Sequence, residues 1–188
     1  MKKLVFPVKI IFLDIDGVIN IPPYLKFNDI CMSNLEEVIQ KTGAKIVISS
    51  SWRDHDHLRM ETNFKKHGFT DFLWDQVIDI TCRGYQYVIK GSKLPIVRGN
   101  EIKQWVDTRL KYPWHSDKSL DKEYQILNAD GSFKFMRCNE LHKDYSYVIL
   151  DDDSDMLYEQ KDNFILTDGS VGLSNKNTKR TIEILNKL

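Results

Sequence analysis

Apolar runs of strand length recur along the chain at Ile10–Leu13, Ala44–Ile48, Val77–Ile80, Tyr147–Leu150 and Asn163–Thr167, and a change to polar residues or glycine closes each of them. Runs of about four to eight such residues fit strands covered on both faces, as in a parallel sheet flanked by helices. Helical patterns lie between them. Ser33 with Glu36 three residues on has the spacing of a capping box, so a helix is expected from Asn34 to Thr42, stopped by Gly43. Asp54 to His67 carries Leu58, Met60 and Phe64 on a charged background and stops at Gly68. Asn100 to Asp107 has Ile102, Trp105 and Val106 at helical spacing, and Asn177 to Leu188 follows with Ile182, Ile184 and Leu185. Strand, helix and strand with short joints form a right-handed crossover, so the strands are parallel and their ends point the same way. The pattern predicts an α/β fold.

Two segments depart from it. Thr81 to Gly99 is irregular and basic, with Arg83, Lys90, Lys93 and Arg98 interleaved with Tyr85 and Tyr87. Such a mixture can stack nucleic-acid bases, although its composition fits an ordinary loop with a short hairpin better. Within Tyr112 to Asp144, Glu123–Leu127 and Ser132–Met136 flank Asn128-Ala129-Asp130-Gly131, a hairpin signal. It reads as an insertion that overhangs a site. His115 and His142, in the same segment, read as surface or packing residues.

Charge at the strand ends changes the picture. The first apolar run stops in Leu13-Asp14-Ile15-Asp16-Gly17. Asp14 and Asp16 fall on one side of the pleat if extended geometry holds that far. Two carboxylates so close repel, which calls for a cation between them or a raised pKa on one. Hard oxygen ligands with few other donors suggest magnesium, and Gly17 allows a tight turn. Standing alone, this motif would read as an ordinary Asp-Gly turn. The second run, however, ends in Ser49-Ser50-Ser51-Trp52-Arg53, and open α/β sheets bind ligands at the carboxyl ends of their strands. A hydroxyl and the free amides of a helix start suit a phosphate oxygen. Ser49, at the strand end itself, is the first candidate, since Ser50 and Ser51 read as well as helix caps. The fourth run ends in Asp151-Asp152-Asp153-Ser154-Asp155, and disordered acidic stretches do not normally follow a core strand. Arg98 before a helix, or Lys103 one turn inside it, can aim positive charge at these ends. Asp54-His55-Asp56-His57 is set aside as a metal site, because alternating neighbours on a helix do not share a face.

Composition narrows the setting. With 188 residues the chain is long enough for one well-buried core, and a single domain over 1–188 is expected, with 112–144 as an insertion or lid. Its 27 basic and 27 acidic residues create no overall field for nucleic acid or anionic membrane. Cys31, Cys82 and Cys138 lack CxxC spacing, which argues against a disulfide framework and a structural zinc site. The amino-terminal apolar stretch is broken by Pro7 and Lys9, and no run approaches the roughly 18 apolar residues of a membrane span. A cytoplasmic protein without membrane association or an obligate protein partner is expected.

In combination, Asp14-Ile15-Asp16-Gly17-Val18-Ile19-Asn20, Ser50-Ser51-Trp52-Arg53, Arg98-Gly99-Asn100-Glu101-Ile102 through Trp105, Tyr147 to Met156, and Leu166-Thr167-Asp168 through Gly172-Leu173 resemble the haloacid dehalogenase-like phosphatases. The likeness covers nearly the whole chain and extends to the minimally capped phosphatase modules of Swiss-army-knife RNA-repair proteins. It implies a three-layer, Rossmann-like fold with a central parallel sheet. It makes Asp14 the nucleophile of an aspartyl-phosphate mechanism and Asp16 the general acid and then base. Magnesium is implied between Asp14, the Asp16 carbonyl and the acidic run, where Asp152 matches the usual ligand best, Asp151 the residue before it, and Asp155 a support through water. Ser49 matches the phosphate-binding hydroxyl, with Ser50, Gly17 and Arg53 beside it. Arg98 fits the catalytic cation by position, with Lys103 as the alternative because relatives more often carry lysine. The short connections leave no room for a large cap, so a phosphate on a large partner, such as a polynucleotide end, is the first expectation. A small-metabolite or nucleotide phosphatase with 112–144 as its lid is the second, and a non-catalytic scaffold the third.

Overall fold

The computed structural model describes residues 8–83, 85–87, 93–107, 123–127, 133–137 and 145–187. Five parallel strands form the central sheet in the order β3-β2-β1-β8-β9, where β1 is Val8–Leu13, β2 Lys45–Ile48, β3 Val77–Ile80, β8 Tyr145–Asp151 and β9 Phe164–Leu166. Two antiparallel pairs form separate sheets, β4 (Tyr85–Tyr87) with β5 (Lys93–Pro95) and β6 (Glu123–Leu127) with β7 (Phe133–Arg137). The helices are α1 (Asp29–Thr42), α2 (His57–Lys66), α3 (Asp71–Trp74), α4 (Arg98–Val106) and α5 (Asn175–Leu185).

The uninterrupted apolar runs become the inner strands because both faces of the sheet are covered. Ile11 and Leu13 of β1 pack with Leu35 and Val38 of α1, Met60 and Phe64 of α2, Leu73 of α3 and Leu185 of α5. Ile10 and Phe12, alternating to the other face, meet Ile102, Trp105 and Val106 of α4. Phe12 touches the Trp105 ring edge-on at 5.3 Å between centroids. Burying β1 this completely fixes where its end points, so residue 14 emerges at the middle of the sheet edge.

Several helix starts differ from the sequence expectation. Helix α1 begins at Asp29, not after Ser33. Asn28 caps it, accepting from the amides of Ile30 and Cys31 at 3.0 and 3.1 Å, and Ser33 lies exposed inside the helix. Asn28 is itself anchored, its amide donating to the Ile19 carbonyl at 2.8 Å. Tertiary anchoring of a strong cap residue thus overrides the local capping-box signal. Helix α2 starts at His57 behind the Asp56 cap, while Asp54 is drawn off into an ion pair with Arg59 at 2.6 Å. Helix α4 begins at Arg98 itself, two residues early, because a distant carboxylate, Asp155, accepts the Arg98 amide at 2.8 Å. Helix α5 starts at Asn175 and ends at Leu185, with Ser174 as its cap. The strands expected of a hairpin pair, β7 running Phe133–Arg137 where Ser132–Met136 was expected, with Glu123 opposite Arg137 and Leu127 opposite Phe133. His115, His142, the Asn128–Gly131 turn and the remainder of the 112–144 lid expectation lie outside the described residues. Among the described residues no helix is long and apolar enough to cross a membrane.

Candidate active site

Three strand ends are tied together around Asp14. Its amide donates to the Leu150 carbonyl at 3.0 Å, and the Ser49 amide donates to the Leu13 carbonyl at 2.8 Å. Immediately afterwards the chain turns sharply: the Ile15 carbonyl accepts from Val18, Ile19 and Asn20 at 3.3, 3.0 and 2.9 Å. Gly17 sits in the turn at φ +70°, a left-handed conformation suited to glycine. A Cβ there would overlap the Asp152 carboxylate, and one on Gly169 would lie 2.7 Å from Asp152 Oδ2. Asp152 is therefore packed between two glycines. The buried Thr167 hydroxyl donates to the Gly17 carbonyl at 2.9 Å and pins the turn to the end of β9.

Asp14, Asp151 and Asp152 place carboxylate oxygens within 4.8 Å of one another. Burial pushes Asp14 up to about 6, against the opposing pull of the Arg98 charge and the Ser50 hydroxyl. Burial also pushes Asp151 up to about 7, and the neighbouring Asp14 charge adds to it, although the Asp153 amide donates to it at 3.0 Å. Desolvation raises Asp152 as well. Three carboxylates crowded and desolvated in this way favour a partner that removes the repulsion without requiring protons. Oxygen-only donors at the ends of two strands fit a hard divalent cation and could hold one.

The second carboxylate is held separately. Asp16 Oδ1 accepts from Asn20 Nδ2 at 2.6 Å, and Oδ2 accepts from the Trp52 indole Nε1 at 2.9 Å. The two serines at the end of β2 diverge, as successive residues of an extended chain must. Ser50, fully buried, reaches Asp14 with its hydroxyl. Ser49, the sequence's first candidate, turns the other way, and its hydroxyl accepts from Thr81 at 3.4 Å.

The cations are sorted by helix phase. Arg98 Nη1 lies 3.4 Å from Asp14 Oδ1. Lys103, five residues on and so about 140° around the helix, pairs with Asp107 at 2.8 Å and Glu159 at 3.3 Å. It takes no part in the cluster. Arg53, expected beside the phosphate-binding hydroxyl, is engaged by Glu101 and Thr81. Its guanidinium is buried against Glu101 at 2.7 Å and donates to Thr81 Oγ1 at 2.6 Å. Glu101 also stands 3.9 Å from Arg98 Nε, so one buried carboxylate joins Arg53 to Arg98. Asp155 is likewise not in the three-carboxylate group. It caps α4 through the Arg98 amide, keeps its buried Oδ1 without a hydrogen-bond partner, and adds to the upward push on Asp151.

Sequence reasoning missed Glu101, Trp52 and Thr167. An acid in a first helical turn reads as a dipole partner, and the sequence carries no local sign of the distant contacts that Trp52 and Thr167 make. His57 packs on Trp74 at 5.1 Å between ring centroids.

A five-stranded parallel sheet of this order, with an acidic pair leaving its central strand and a carboxylate cluster at the neighbouring strand end, defines the haloacid dehalogenase-like class. Within that class the chain belongs to the family described as the HAD domain in Swiss Army Knife RNA repair proteins, whose model matches residues 10–128. Membership implies a hydrolase of the phosphatase type. The matched span holds Asp14, Asp16, Ser50 and Arg98, whereas Asp151 and Asp152 lie beyond it, so their arrival beside Asp14 is a separate observation. No curated protein and no solved structure matches the chain.

Proposed function

We propose that this protein is a magnesium-dependent phosphomonoesterase that works through an aspartyl-phosphate on Asp14 and acts on polynucleotide ends. The observation that carries the reading is the convergence on Asp14 of Arg98, Ser50, Asp151 and Asp152.

In this mechanism Asp14 attacks phosphorus as the bond to the leaving oxygen breaks, and Asp16 gives that oxygen its proton. Water then attacks the aspartyl-phosphate, Asp16 takes the water's proton, the Asp14–phosphorus bond breaks, and inorganic phosphate leaves. Dividing hydrolysis into two displacements lets one site handle both. Arg98 and the Ser50 hydroxyl bind the phosphoryl oxygens and stabilise the charge that builds on them. Magnesium, held by Asp14, Asp152, Asp151 and the Asp16 carbonyl, would offset the repulsion between carboxylate and phosphate. The polynucleotide reading is supported by the family's description and by the twelve residues, Gly17 to Asn28, between the first acidic motif and α1, too few for a large cap.

An aryl phosphate tests the chemistry: hydrolysis should require magnesium and disappear in Asp14→Asn. Wild-type protein that is inactive under all such conditions would leave the scaffold reading instead. End-phosphorylated oligonucleotides set against mononucleotides test the substrate, and a clear preference for mononucleotides sinks the polynucleotide assignment.

A further inference from the structure

Asp16 must deliver a proton to a leaving group that arrives from solvent, so its carboxyl needs a fixed direction. Its two oxygens accept from two neutral donors, Asn20 Nδ2 at 2.6 Å and Trp52 Nε1 at 2.9 Å. The donors differ in kind. Asn20 is four residues away in the same turn, whereas Trp52 comes from the segment after β2, 36 residues on. An indole N–H donates and cannot accept. It can therefore orient a carboxyl without competing for its proton.

The indole is itself immobilised. Its ring stands 5.4 Å from Phe27, 6.0 Å from Phe64 and 5.0 Å from the His67 imidazole, between centroids, and the last two contacts are edge-on. The backbone closes around the same cluster, the Phe27 amide donating to the His67 carbonyl at 2.8 Å. Aromatic packing of this kind fixes a ring in one rotamer and so fixes the direction of its N–H. The main-chain amide of Trp52 also donates to Ser50 Oγ at 3.3 Å, which links the same residue to the hydroxyl on Asp14.

We propose that Trp52 is the positioning residue for the general acid: its Nε1–H, locked in the aromatic cluster, holds the Asp16 carboxyl in the direction from which it protonates the leaving oxygen. The inference rests on the phosphatase reading above. In the step concerned, the Asp16 O–H bond breaks and a new O–H bond forms on the leaving oxygen as its bond to phosphorus breaks. Trp52 exchanges no proton.

The test uses leaving groups that differ in their need for that proton. A nitrophenyl phosphate expels a stabilised phenolate and needs little help, whereas an alkyl phosphate expels an alkoxide and depends on the acid. kcat/KM covers the steps up to the first irreversible one, here formation of the aspartyl-phosphate. Trp52→Phe keeps an aromatic ring in the cluster and removes the N–H together with part of the indole's volume. It should lower kcat/KM for the alkyl ester by about thirtyfold, within the range general acids contribute, and for the nitrophenyl ester by less than about threefold on the same argument. Equal losses on both esters, or no loss on either, overturn the proposal while leaving the phosphatase reading intact. Wild-type protein that hydrolyses neither ester overturns both. Asp16→Asn gives a second readout that does not depend on how Trp52→Phe folds. One indole N–H resonance of the otherwise wild-type protein should shift upfield when the carboxyl acceptor is replaced by an amide, and an unchanged set of indole resonances overturns the proposal.

Discussion

At Gly17 two constraints meet at one α-carbon: the left-handed backbone of the turn and the Asp152 carboxylate lying where a side chain would start. Strain in that backbone costs a non-glycine residue roughly 1–2 kcal/mol. The steric conflict falls on a member of the carboxylate cluster. Gly17→Ala should therefore lose cation affinity out of proportion to stability, a combination that magnesium titration by calorimetry beside a thermal melt would reveal. Unchanged affinity would show that Asp152 does not need its present place. Of these residues Gly17 was legible in the sequence as a turn former, because Asp-Gly is a local signal. Its contact with Asp152 was not, since 135 positions separate the two and only β8 lying beside β1 closes the gap. Ser49 and Ser50 illustrate the same limit at finer grain. Two hydroxyls stood at the strand end, and a side-chain alternation that depends on where extension stops chose between them.

Helix α4 gathers the positive charge. Its start is set by Asp155, its Arg98 faces Asp14, and its Glu101 binds the buried Arg53 guanidinium. Arg98→Ala should cut kcat by about a hundredfold or more, the usual consequence of removing one group that stabilises developing charge. Lys103→Ala, on the far face with Asp107 and Glu159, should leave kcat close to wild type. Steady-state kinetics on the two variants decides, and the reverse ranking would contradict the geometry. Glu101→Ala leaves Arg53 buried opposite nothing of opposite charge at that contact, and breaking a buried pair from one side costs about 3–5 kcal/mol. Chemical denaturation should show a loss of that order; a loss below about 1 kcal/mol, typical of exposed pairs, would mean that the pair is not functioning as a buried one. The helix itself was readable from Ile102, Trp105 and Val106. Its phase relative to the sheet was not, because the capping carboxylate, Asp155, is 57 positions away, just past the carboxyl end of β8.

For the whole molecule, the cluster at the sheet edge ties stability to pH and to metal. Asp14 is raised to about 6 and Asp151 to about 7, both above the value of 3.8 for an unfolded carboxyl. Through that window the folded chain still binds protons that the unfolded chain has released, so these two groups make stability fall as pH rises. The metal-free protein should lose this contribution between about pH 4 and pH 7, and Asp151→Asn should flatten the slope. Magnesium binds the ionised form and should raise the melting temperature more above pH 7 than at pH 5, by mass action on the folded state. Calorimetry across the range, with and without magnesium, checks both; a slope that Asp151→Asn leaves untouched refutes the assignment. The sequence by itself determined the parallel α/β sheet, the acidic motif that ends its first strand and the acidic run that ends a later one, because periodicity and abrupt charge after apolar runs are written in neighbouring residues. Only the tertiary structure decided that Ser50 rather than Ser49 meets Asp14, that Arg98 rather than Lys103 stands beside Asp14, that Arg53 pairs with Glu101, and that Trp52 donates to Asp16. Those partners lie 36, 48 or 84 positions apart for Trp52–Asp16, Arg53–Glu101 and Arg98–Asp14. Separations of that size leave no local pattern, and packing of the helices on the sheet is what brings the groups within hydrogen-bond or ion-pair range.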